Sequence, residues 1–113
     1  ESEAKRSEFE QNARAIIESN ITDIDFDVDD LAEEMMMSRS TLYRRARTNK
    51  APSPASLIRE VRMKRAHDLL ATGEGSVTEV AYAIGYESLA SFSGQFSAHF
   101  GYPPSQVSRR EAT

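Results

Sequence analysis

SVTEVAYAIGYESLASFSGQFSAHF, residues 76–100, is punctuated as two helices with almost no room between them. Ser76 and Glu79 have the spacing of a capping box, in which a hydroxyl and a carboxylate satisfy the free N–H groups at a helix start. Val80, Ala81 and Ile84 then supply one apolar face, and Gly85 offers the left-handed stop that ends a helix. Three residues later Ser88 caps a second helix, whose Phe92, Phe96 and Phe100 recur at every fourth position until Gly101 stops it. Pro104 starts a last short helix. The unit reads as helix, tight turn, helix.

An earlier stretch repeats it. VDDLAEEM (28–35) overlays VTEVAYAI (77–84) in its apolar positions, and Leu42 overlays Phe92 after one inserted residue, a weak repeat with a period of about 50 residues. Ser38 caps the second helix of this copy, which runs through Leu42 to the neighbourhood of Arg47. Ahead of it, Ser7 and Glu10 form a further capping box, opening a helix with Phe9, Ala13, Ile16 and Ile17 on one face; the loop TDIDFDVD follows. Between the copies, Ser53 and Pro54 open a long helix over 54–72, stopped by Gly73, with Ile58, Val61, Met63, Ala66, Leu69 and Leu70 as core positions. At about 1.5 Å per residue it is about 28 Å long.

Strand signals are nearly absent, so the expectation is an all-α fold of about seven helices. Its parts are a linker remnant at 1–6, a first helix-turn-helix subdomain at 7–52, a linker helix at 53–73 and a second helix-turn-helix subdomain at 74–113. The chain starts without methionine on a polar, charged segment and reads as a piece of a longer protein.

Composition narrows the function classes. The chain has no cysteine, which excludes disulfides and thiolate metal sites. No apolar run approaches the roughly 20 residues of a membrane span, and the first residues lack a secretory h-region, so the expected compartment is the cytoplasm. The net charge of -4 conceals an asymmetry: residues 1–37 hold 3 Lys/Arg and 12 Asp/Glu, residues 38–67 hold 9 against Glu60 alone, and residues 68–113 hold 2 against 5. A polyanion meets a local surface rather than an average, and here that surface is the middle third.

Within it lies MSRSTLYRRAR (37–47). If Leu42 and Ala46 pack inward, Arg39, Ser40, Tyr43, Arg44 and Arg47 face outward, and such a face both neutralises phosphate and reads base edges. A helix of about 28 Å between two such units suits successive major grooves, about 34 Å apart on one side of a duplex. Double-stranded DNA is the expected partner.

The residues DVDDLAEEMMMSRSTLYRRAR, SLIREVRMKRAHDLL and above all SVTEVAYAIGYESLASFSGQFSAHFGYPPSQV carry the pattern A-x-x-x-G-aromatic, then F-S-x-x-F, then F-G-x-x-P-S. In this they resemble the DNA-binding domain of the AraC/XylS-type transcription regulators of bacteria, over roughly residues 9–109. The resemblance implies seven helices with two helix-turn-helix subdomains bridged by the long helix. It also implies promoter binding, commonly for activation, with RNA polymerase as the activator's target. MSRSTLYRR is similar to members fused behind two-component receiver modules, and dimerisation in such regulators belongs to parts outside this chain. Carried over by position, base-reading sites fall on Ser40, Tyr43 and Arg44, with Arg39, Thr41 and Arg45 beside phosphate, and in the second unit on Leu89, Ala90, Ser93 and Gly94. Where members often carry arginine this chain has Gly94, leaving hydroxyls from Ser88, Ser91 and Ser93 and the apolar Leu89 or Ala90 against thymine methyls. The expectation is asymmetric recognition led by the first unit.

Other chemistry is weaker. Asp23, Asp25, Asp27 and Asp29 alternate with Glu34 at position twelve of a calcium-loop spacing, but Val28 stands where the glycine belongs and reads with Phe26 as a core anchor. Met35, Met36 and Met37 read as filling around a tight turn, and most of Tyr82, Tyr86, Phe92, Phe96 and Phe100 as core rather than as a stacking platform. His67 and His99 have no ligand cluster or nucleophile, Gly73-Glu74-Gly75 lacks the lysine of a phosphate loop, and no cofactor, metal or catalytic group is expected. Arg59, Arg62, Lys64 and Arg65 circle the long helix, and some are expected to pair with the acidic first third. A helical protein-interaction module, using residues 38–67 on an acidic partner, explains the charge split but not the repeat.

Overall fold

The computed structural model describes residues 6–107. Six helices are α1 (Glu8–Ser19), α2 (Val28–Glu34), α3 (Arg39–Thr48), α4 (Pro54–Ala71), α5 (Val77–Ala83) and α6 (Leu89–Phe100). Residues 105–107 begin a seventh helical segment, and the described residues contain no strand. Residues 1–5 of the expected linker remnant and 108–113 of the second subdomain lie outside the described residues. Packing divides the chain into two compact units. One takes in the residues up to Asn20 together with Asp25–Val61, the other Ile21–Ile24 and the chain from Arg62 onward, so the boundary falls inside α4.

In the first unit, Ala13 and Ile17 of α1, Leu31 of α2 and Leu42 of α3 are all but completely buried. Helix starts follow the expected caps, with one difference. Ser7 accepts the Glu10 N–H at 3.1 Å, but the Glu10 carboxylate does not close the box. It bonds Arg14 Nε at 2.9 Å and pairs with Arg6, because a partly buried carboxylate gains more from two guanidinia than from one exposed amide. A box the sequence pattern missed stands at α2, where Asp27 and Asp30 exchange side-chain and backbone bonds of 3.0 and 3.1 Å. Aspartate in place of Glu or Gln at the third helical position hid it.

The second unit is built on aromatic rings. Phe92 and Phe96 are fully buried with centroids 5.7 Å apart, Tyr86 lies 5.5 Å from Phe92, and Phe100 4.5 Å from Phe96. Tyr82 departs from the expected core set and is 56% exposed. His67 of α4 is a packing histidine here, its ring 5.2 Å from that of Phe100 and its Nε2 3.4 Å from the Tyr102 hydroxyl.

In α4 the buried apolar residues are Leu57 and Val61 in the first unit and Met63, Ala66 and Leu70 in the second, while Ile58 and Leu69 are only half-buried. The two sets are out of phase by helical spacing, so no single stripe predicts both. Of the cations expected to circle this helix, Arg62 is interior.

Candidate nucleic-acid interface

Each unit places a second helix behind a tight turn, and the two turns are built by the same hydrogen bonds. At the end of α2, Met36 N–H donates to Glu33 O and Met37 N–H to Ala32 O; at the end of α5, Gly85 N–H donates to Tyr82 O and Tyr86 N–H to Ala81 O. Both are Schellman closures, which need a left-handed residue at the turn. Met36 supplies it with φ 61° and Gly85 with φ 95°. The next helix is capped by serine in both copies, Ser38 accepting the Thr41 N–H and Ser88 the Ser91 N–H.

These ends fix which faces of α3 and α6 look outward. With Leu42 and Ala46 buried, Ser40, Arg44 and Arg47 are exposed and Tyr43 is half-exposed, at the three- and four-residue spacing of one helix face. Arg44 and Arg47 make no side-chain hydrogen bond or ion pair with the described residues. The remaining basic residues are differently placed. Arg39 Nη1 bonds Asp29 Oδ1 at 3.1 Å, and its guanidinium lies 5.6 Å from the centroid of the Tyr43 ring. The hydrogen bond and charge of Asp29 raise the Arg39 pKa above its ordinary value, so the pairing favours a charge that arginine keeps in any case. Thr41 is half-buried and takes a 2.9 Å hydrogen bond from Ser38. Arg45 is off the face, lining a concavity of about 500 Å³ with Phe9 and Ile16 of α1 and with Met35 and Met37. Met36 is 92% exposed, against the expectation that all three methionines fill the turn, because its left-handed backbone throws the side chain outward.

On α6 the corresponding face is short. Leu89 is 40% exposed, Ser88, Ala90, Ser91 and Gly94 are exposed, and Ser93 is half-buried. A side chain added at Gly94 would meet nothing within 4 Å. Gln95, not singled out in the sequence, accepts a 2.6 Å hydrogen bond from the Tyr86 hydroxyl and so ties α6 to its own turn. The acidic loop is also accounted for: Phe26 and Val28 are buried, Asp27 and Asp30 cap α2, and Asp29 holds Arg39. Among the described residues no group of His, Cys, Asp or Glu has a metal-binding arrangement, and no helix is long and apolar enough to cross a membrane.

Two capped helix–turn–helix units on one chain, one with an uncompensated arginine face, define a DNA-binding regulatory domain. Residues 31–110 match the helix-turn-helix domain family. The chain is 33% identical over 100 residues to histidine kinase P4 of Formosa agariphila, a match covering 88% of this chain and 7% of that protein. Among solved structures it is similar to a DNA-binding transcriptional dual regulator from Escherichia coli K-12, with a TM-score of 0.83, 28% identity and 94% of each chain covered. It is also similar to an AraC-type transcriptional regulator from Chromobacterium violaceum, with a TM-score of 0.80 and 27% identity, covering 99% of this chain and 96% of that one. The chain belongs to the AraC-type family of helix-turn-helix, DNA-binding transcription regulators. The solved structures it matches are transcription regulators with DNA-binding domains. The chain spans less than a third of the length of the curated relatives it matches.

Proposed function

We propose that this domain binds double-stranded DNA sequence-specifically, with α3 and α6 entering major grooves of one duplex and α3 supplying most of the specificity. The observation that carries this reading is the pair Arg44 and Arg47, one turn apart on the exposed face of α3 and without a partner among the described residues. A guanidinium held with no internal counter-charge is available to guanine or phosphate, and Ser40 and Tyr43 beside it add hydroxyls for backbone or base edges. Arg39, engaged by Asp29, is left with a phosphate-side role, and Ser88, Leu89, Ala90, Ser91, Ser93 and Gly94 form a second, shallow contact. The domain works in the cytoplasm as the output end of a longer regulator, a reading supported by its match within histidine kinase P4. It activates transcription through RNA polymerase, and any dimerisation lies elsewhere in that longer protein.

The test is fluorescence anisotropy on a random duplex of about 24 base pairs across a salt series, followed by selection from a randomised pool. The expected result is affinity that falls steeply with salt and an enriched motif in two segments one helical turn apart. Absence of binding at about 50 mM salt would overturn the reading and leave the basic surface to an acidic protein partner.

A further inference from the structure

Arg62 stands in the middle of α4 and is only 4% exposed. Its Nη2 donates to the backbone carbonyl of Asp23 at 2.7 Å and its Nη1 to that of Ile84 at 3.4 Å. Ile84 is the C-cap of α5, where the helix carbonyls accumulate partial negative charge, and Gly85 follows it at the turn. The loop Ile21–Ile24 lies directly against that turn: a Cβ on Gly85 would sit 3.0 Å from Thr22 C and O and from Ile24 N. Both carbonyls belong to the second unit, although in sequence the loop separates α1 from α2. Burial pushes the Arg62 pKa down, a sign that the site costs desolvation, yet guanidinium remains charged near neutral pH.

That cost has a use on the reading side. A long arginine adjusts its reach by ångströms, whereas Ser93, Ala90 and Leu89 have short arms, so α6 reads bases only if its backbone is held at one depth and angle. We propose that Arg62 is a positioning residue for DNA reading: by clamping Ile21–Ile24 onto the α5–α6 turn, it fixes how α6 presents Leu89, Ala90 and Ser93 to the groove. The inference rests on the DNA-reading role given above. It adds that specificity in the second segment is controlled from a loop and a helix that touch no base.

Arg62→Lys keeps the charge but replaces a two-pronged donor with a single ammonium that does not span both carbonyls. Arg62→Met removes the charge and keeps an apolar stem, so one of the pair remains folded for comparison. In the folded variant, hydrogen exchange of the Gly85 and Tyr86 amides is expected to rise about tenfold, with those of Met36 and Met37 unchanged. Pool selection is expected to keep the first segment and lose the second. Combined with Arg44→Ala the losses in affinity add, and combined with Leu89→Ser they do not, because both act through α6. Unchanged exchange at the turn, or equal weakening of both segments, overturns the proposal. A parent protein that binds no duplex sinks the DNA reading and the positioning role with it, while the exchange measurement separately reports whether the clamp exists.

Discussion

The two helix-turn-helix units share a backbone and little else. Their turns close with the same pair of hydrogen bonds, and their second helices start from a serine whose side chain accepts the N–H three residues on. The residue at the left-handed position differs, and so does what lies against it. Met36 is almost wholly solvent-exposed, whereas Gly85 is buried beneath Thr22 and Ile24. The proposed reading faces differ in the opposite sense. Where the open turn precedes Arg44 and Arg47, the packed turn precedes Ser93, Gly94 and Ser97. Precision of backbone and length of side chain are thus traded against each other. The unit with reaching, charged side chains has a loosely buttressed turn, and the unit with short ones has a turn pinned by a loop and a buried guanidinium.

The sharpest way to break this contrast is at Gly85. Gly85→Ala places a Cβ at φ 95° and 3.0 Å from backbone atoms that no rotamer change relieves. We expect a loss of about 2–4 kcal/mol in urea denaturation, the sum of left-handed strain and displacement of the loop. Met36→Ala, at a position already non-glycine and open, should change stability by less than about 0.5 kcal/mol. Equal losses at the two turns would show that the loop does not discriminate between them. Next in size is the reading face itself. Arg44→Ala should weaken binding to the selected site by about 1–3 kcal/mol, and Ser93→Ala by less than about 0.5 kcal/mol, in anisotropy titrations at one salt concentration. Matching losses would erase the asymmetry between the units.

How much of this was legible before the structure depended on whether a signal was local. Caps and glycine stops are local, so Ser7, Ser38, Ser53, Ser76 and Ser88 marked five helix starts, and Gly73, Gly85 and Gly101 three ends. The same closure at Met36 and at Lys50, with φ 61° and 56°, left no mark because neither residue announces a left-handed backbone. The outward face of α3 followed from Leu42 and Ala46 alone. Partners distant in sequence were not legible. Arg62 read as one of several cations circling a helix, and nothing local says that its guanidinium closes on carbonyls at Asp23 and Ile84. Arg14 pairing with Glu60 at 3.0 Å, 46 residues away, and Arg45 turning toward α1 were hidden for the same reason.

A milder perturbation sharpens the comparison by making the second face resemble the first. Gly94 sits mid-helix in α6 with open space at its Cβ, so Gly94→Arg meets no clash at Cβ and removes a helix-weakening glycine, worth roughly 0.5–1 kcal/mol of stability. If α6 lies in a groove, the added guanidinium should raise affinity for unselected duplex and steepen the salt dependence by about one phosphate contact. An unchanged salt slope would mean that this face of α6 is not near DNA.

A similarly small effect is expected at the other turn, and its sign is informative because two terms oppose each other there. Met36 holds a left-handed conformation that costs a residue with a Cβ about 1–2 kcal/mol, and glycine relieves that cost. Glycine also loses more backbone entropy on folding, by roughly 0.5–1 kcal/mol. At 92% exposure the methionine side chain has little packing to forfeit, so these two terms decide the outcome. Met36→Gly should therefore stabilise the domain by about 0.5–1 kcal/mol, read as a higher urea midpoint with an unchanged slope. The proposed binding face of α3 should be unaffected, since its guanidinia reach past a backbone that has merely relaxed. A destabilised variant would show instead that Met36 is held by contacts in the native state, and the open turn of the first unit would then be as constrained as the packed turn of the second.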